Sequence, residues 1–96
     1  MLEIKIEKSF KKDIEKAKKS GKYSEKDFEV LKKVIEDLQN QREIDQKYKR
    51  HFLKGQLKEC EVAHIKPDWL LIFKIDETFL YLIMLGKYTQ VYKKFK

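Results

Sequence analysis

The sequence predicts an α+β domain: two N-terminal helices packed on a small antiparallel-rich sheet, in the order β-α-α-β-β-β. Three observations predict it. The N-terminal half carries two apolar stripes at helical spacing, Phe10/Ile14/Ala17 and Phe28/Leu31/Val34/Ile35/Leu38. The C-terminal half instead holds short runs with the alternation or the apolar density of strands. Pro67, the chain's one proline, falls between two of those runs, where it fixes its own φ, removes a donor and turns Lys66 away from helical geometry. With 96 residues, the chain forms one domain over residues 1–96, large enough to bury roughly 60–65% of its unfolded surface without covalent staples.

Taken in order, Leu2–Glu7 alternates apolar and charged residues and reads as a half-buried first strand. Ser9 is the expected N-cap of the first helix, and Ser20-Gly21 its end. Ser24 caps the second helix with Asp27 at capping-box distance, and the stripe carries that helix to about Leu38–Gln41. The stripes read as core. From Gln39 to Lys49 the pattern is polar and aperiodic, a loop. It leads into Tyr48–Gly55, where cations, rings and His51 interleave, with Phe52 and Leu53 as expected core anchors. Lys58–His64 alternates weakly as a strand. Trp69–Ile75 is the expected central strand, Asp76-Glu77 a hairpin turn, and Thr78–Leu85 a returning strand covered on both faces over part of its length and ended by Gly86. The closing stretch, Lys87 to Phe95, interleaves rings and cations again.

A formal net charge of +7 on so short a chain favours an anionic partner. From Lys87 onward, Lys87, Lys93, Lys94 and Lys96 occur without a single acid. The mixed charges of the N-terminal half read as a solvated surface. Cys60 is the only cysteine, so no internal disulfide forms, and the residue reads as a small buried hydrophobe. No apolar run approaches the roughly 20 residues of a membrane span, and the chain is charged from Glu3 onward. A cytoplasmic protein without membrane contact is expected.

His51 and His64 titrate near neutrality and suit proton transfer on a phosphodiester. Cleavage of RNA by its own 2'-hydroxyl needs a base, an acid and cations for the phosphorane charge, but no metal or other cofactor. His51, His64 and the lysines at 54, 66 and 87 are of the right types, and Asp68 can orient an imidazole. A histidine at a strand end more often serves structure, so residue types alone leave both readings open. Interleaved rings and cations suit RNA, the cations meeting phosphates and the rings stacking on bases. The residues expected to hold RNA are Lys54, Lys66, Trp69, Lys87, Lys93 and Lys94. Two histidines and a cysteine without ligand spacing give no zinc pattern, and three isolated glycines give no phosphate loop.

His51-Phe52-Leu53-Lys54-Gly55, followed by Ala63-His64-Ile65-Lys66-Pro67-Asp68-Trp69-Leu70-Leu71-Ile72-Phe73, resembles the YafQ-like branch of the RelE/ParE toxin superfamily. Its His-x-Leu-x-Gly and His-x-x-Pro-Asp-Trp/Leu motifs recur here in order and at near-family spacing. The resemblance covers the whole chain. It implies a microbial-RNase-like fold and a toxin that cuts mRNA in the ribosomal A site, with 16S rRNA contacts. It also implies neutralisation by a cognate antitoxin in a hetero-oligomer. Carried over by position, His51, His64 and Asp68 are the implied catalytic residues, with Trp69 beside them as a packing or base-facing ring. The family closes with an arginine, a glycine, a histidine and an aromatic. Here those positions read Met84, Gly86, Tyr88 and Tyr92. A methionine cannot stabilise a phosphorane, and a phenol with its usual pKa near 10 is a poor base at pH 7. The broader RelE-like group uses a C-terminal tyrosine, and Tyr92 lies on the matching Val-Tyr pair, so the resemblance implies catalysis through a different set of groups that includes Tyr88 and Tyr92. The departures keep two alternatives open: a toxin of the same fold that inhibits a protein such as DNA gyrase, and a catalytically weakened RNA-binding relative.

Overall fold

The computed structural model describes residues 1–55 and 58–93. Its elements run β1 (Glu3–Ile6), α1 (Lys8–Ser20), α2 (Glu25–Gln39), a 3-10 turn (Gln46–Tyr48), β2 (His51–Phe52), β3 (Glu61–Lys66), β4 (Trp69–Ile75), β5 (Phe79–Gly86) and α3 (Tyr88–Lys93). The strands form one sheet in the order β1-β5-β4-β3-β2, with β1 parallel to β5 and the other pairs antiparallel. The expected α+β arrangement is present. The short strand β2 and the helix α3 are additions to it.

Sheet pleat sorts the core into two layers. Trp69, Leu71 and Phe73 of β4 face α1 and α2, in a cluster with Phe10, Ala17, Leu31, Val34 and Leu38. Leu70 and Ile72 face the other way, toward Val62, Met84, Cys60, Leu53 and Val91 of α3. Cys60 is thus a buried hydrophobe, as expected. The fully buried Trp69 indole stacks on Tyr23 at 4.0 Å and meets Phe28 edge-on at 5.4 Å.

Both helix ends at the α1–α2 junction follow from sequence. Gly21 takes φ 70°, the left-handed geometry that closes α1. Ser24 and Asp27 make the reciprocal capping box of α2. The expected Ser9 cap does not form. α1 begins at Lys8 with Glu7 at the cap position, and the Ser9 hydroxyl donates to the Ile83 carbonyl. Pairing slips between β4 and β5 at this point, so Ile83 is an extra residue of β5. Asp13 accepts from Leu85 N–H at 2.9 Å, so α1 grips β5 at two polar points.

Two strand expectations change. Glu3–Ile6 is not half-buried: it is an edge strand beyond the cover of the helices, with Ile4 and Ile6 36% and 47% exposed. The first residue of the strand region to be buried is Leu2, tied to Gln39 by a backbone and a side-chain hydrogen bond. The weak Lys58–His64 strand begins only at Glu61, after a turn. Asp76 makes the expected hairpin turn by accepting from the N–H groups of Thr78 and Phe79.

A two-residue strand has little pairing of its own, and β2 is pinned from its neighbour. Arg50 donates to both carboxylate oxygens of the buried Glu61, at 2.7 and 3.1 Å. Arg50→Ala leaves that carboxylate unpaired, and we expect a loss of about 1–3 kcal/mol in urea unfolding. Trp69→Ala should cost about 3–5 kcal/mol through the cavity it leaves. A change below about 1 kcal/mol in the second case contradicts this description of the core.

Candidate active site

His64 occupies β3 on the face that carries Val62, and pairs with Leu70, which pairs in turn with Gly86. Ala63, its neighbour, goes to the helix-side core. Pairing then slips between His64 and Lys66, making Ile65 an extra residue at a β-bulge just before the Pro67-Asp68 turn. Such bulges bend the strand and re-aim the side chains beside them. His51 pairs with Val62 and so shares the face of His64. The two imidazoles lie with ring centroids 5.9 Å apart. Thus β2 and β3 bring together the two histidines that the sequence separates by a loop.

Each ring has a backbone partner. His51 Nδ1 lies 2.7 Å from the Lys49 carbonyl. A carbonyl only accepts, so Nδ1 carries a proton and Nε2 is left open. Lys49 holds φ 49° and ψ 44°, a left-handed conformation that orients this carbonyl. Burial pushes the half-buried His64 below the ordinary imidazole value. A backbone hydrogen bond to Pro67 opposes that shift, and the charges of His51 and Lys49 add to it. Proline has no N–H, so the acceptor is its carbonyl. A cavity of about 430 Å³ opens beside His64, lined by Lys47, Tyr48, Lys49 and Lys66 among others.

Asp68 belongs to a second group. Its Oδ1 accepts from Tyr88 N–H at 3.1 Å, so it fastens the first residue of α3 to the turn, and the expected orientation of an imidazole is not among its described contacts. The Tyr88 and Tyr92 rings lie 4.3 Å apart; Tyr88 is exposed and Tyr92 half-buried. Burial, then the neighbouring Tyr88, pushes the Tyr92 phenol above its ordinary value. Met84 is buried in the apolar cluster beneath α3, on the same face as His64.

The expected RNA-holding residues separate. Trp69 is withdrawn as a base-facing ring: pleat alternation sends it to the opposite face from His64, where it is 1% exposed. Lys66 is drawn to the helix side, with Nζ 3.1 Å from Asp27. Lys54 is exposed just beyond β2, and Lys87 and Lys93 line a separate cleft toward α1. Lys94 lies outside the described residues. Phe52, expected as a core anchor, is 62% exposed, whereas Leu53 is buried. The roles of Lys47, Lys49 and Arg50 escaped the sequence reading. Interleaved rings and cations marked the segment, but which of them meets an imidazole depends on the left-handed residue and on strand pairing.

The family model described as "Bacterial toxin of type II toxin-antitoxin system, YafQ" matches residues 2–93. The mRNA interferase toxin YafQ of Escherichia coli (strain K12) is 33% identical over 72 residues, covering 64% of this chain and 77% of that protein. The E. coli DinJ-YafQ complex superposes with a TM-score of 0.84 at 29% identity, over 96% of this chain and 99% of the other. A metal-bound toxin from Helicobacter pylori also superposes at 0.84, with 36% identity over 95% and 99%. Among the described residues no three His, Cys, Asp or Glu side chains converge as a ligand set. Full-length structural agreement and the family match lead to one assignment. The chain belongs to the YafQ family of bacterial toxins of type II toxin-antitoxin systems.

Proposed function

We propose that this toxin is a ribosome-dependent mRNA endoribonuclease that needs no metal and is silenced by a cognate antitoxin in a hetero-oligomer. The observation that carries the reading is the His51–His64 pair, two imidazoles from adjacent strands on one face, with a cavity beside His64 to which Lys47 and Lys49 contribute. The E. coli relative is an mRNA interferase, and its structure with DinJ supports the antitoxin partner.

In this reading His64, kept in its neutral form by burial, takes the proton from the RNA 2'-hydroxyl. The freed oxygen attacks the adjacent phosphorus. His51 in its protonated form gives a proton from Nε2 to the departing 5'-oxygen, leaving a 2',3'-cyclic phosphate and a 5'-hydroxyl. Lys49 and Lys47 offset the phosphorane charge that an arginine at position 84 would meet. Tyr92, its phenol pushed up by burial, stays protonated near neutral pH, and both Tyr92 and Tyr88 serve as hydrogen-bond donors. Asp68 acts by holding Tyr88 and the start of α3 in place.

Primer extension on mRNA from cells expressing the protein is the direct test. Cuts should appear at codon boundaries and fall by at least about 100-fold in His64→Ala, the usual scale of a lost general base. Growth arrest with intact mRNA and DNA-damage signalling would instead identify a protein target such as gyrase.

A further inference from the structure

Apart from the cavity beside His64, a second cleft of about 320 Å³ opens between α1, the end of β5 and α3. Four lysines from separate parts of the chain converge on it: Lys16 of α1, Lys22 of the following loop, Lys87 beyond β5 and Lys93 of α3. One acid, Asp13, lines it, and its carboxylate is engaged by the Leu85 N–H. Lys33, Lys66 and Lys74 have carboxylate partners, whereas none of the four cleft lysines has one among the described residues. Four like charges around one concavity repel each other, and an anion within it relieves that repulsion.

The size of the cleft favours one kind of anion. An α-helix with its side chains is about 10–12 Å across and rises about 5.4 Å per turn, so about 320 Å³ holds less than one helical turn, while a phosphodiester backbone is narrow and carries a charge at every step. We propose that the cleft is a second phosphate subsite for single-stranded RNA, gripping the strand on the α1 side while the linkage to be cut lies at His51 and His64. The inference rests on the nuclease reading for the position of the cut linkage, but not for the binding itself.

The test uses the full chain carrying His64→Ala, with a labelled oligouridylate followed by fluorescence anisotropy across a salt series. Lys16→Gln with Lys22→Gln removes two cleft charges. Lys11→Gln with Lys18→Gln removes two exposed charges from α1 outside the cleft. The cleft pair should make the slope of log K against log salt shallower by about 1.4, about 0.7 for each of two phosphates, while the outside pair leaves it unchanged. Equal losses in both pairs, or none in the cleft pair, overturn the proposal. It is overturned as well if the cleft pair spares RNA binding and weakens binding of the cognate antitoxin, which makes the cleft a protein site. RNA held through the cleft by a wild-type chain that leaves mRNA uncut sinks the nuclease reading and leaves the subsite standing.

Discussion

The pairing of β3 with β4, with its one-residue slip between His64 and Lys66, sets the rest of the arrangement. Before the slip, strict alternation puts Val62 and His64 on one face and Ala63 on the other. After it, Lys66 is drawn to Asp27 on the helix side and Trp69 packs under Tyr23. The pleat of β4, with Leu70 opposite His64 and Trp69 on the other face, separates the histidine from the tryptophan that anchors the helices, and the bulge brings Lys66 to the tryptophan's side. Without the slip, His64 and the residues of the turn would keep a different relation to both layers.

The second slip, in β5, has the complementary effect on the helix side. It frees the Ile83 carbonyl, which the Ser9 hydroxyl meets, while Asp13 holds Leu85 two residues on. α1 is thereby fixed against the strand that leads into α3. Asp68 completes the chain of contacts from the turn to Tyr88. The two halves of the proposed site are thus tied to the sheet by polar contacts that involve backbone, which hold position better than long side chains do.

Much of the fold is legible in the residues. The stripes of α1 and α2, the Ser24/Asp27 box, the Gly21 end and the Asp76 turn follow from short-range rules that act within a few residues. What is not legible depends on tertiary packing. Ser9 is a good cap by type, but a bulge carbonyl on β5 competes for its hydroxyl. The Ile4/Ile6 alternation predicts a buried face, yet an edge strand extends past the helices that would cover it. For the site, the residue motifs mark His51, His64 and Asp68, but only strand pairing shows the histidines together and the aspartate on α3. Trp69 next to Asp68 in sequence falls on the other face, which a period of two makes visible once the strand begins at Trp69.

His51 and His64 share one electrostatic environment on one face of this sheet. The chain has only these two, so NMR titration resolves each imidazole without ambiguity. His64 should titrate below the ordinary value of 6.5, because burial disfavours its charged form and the neighbouring His51 cation adds to that penalty. Replacing His51 by alanine removes the repulsion, so the His64 pKa should rise toward 6.5 and stop short of it, the burial remaining. A His64 that titrates at or above 6.5, or that does not respond to His51→Ala, would contradict the shared site.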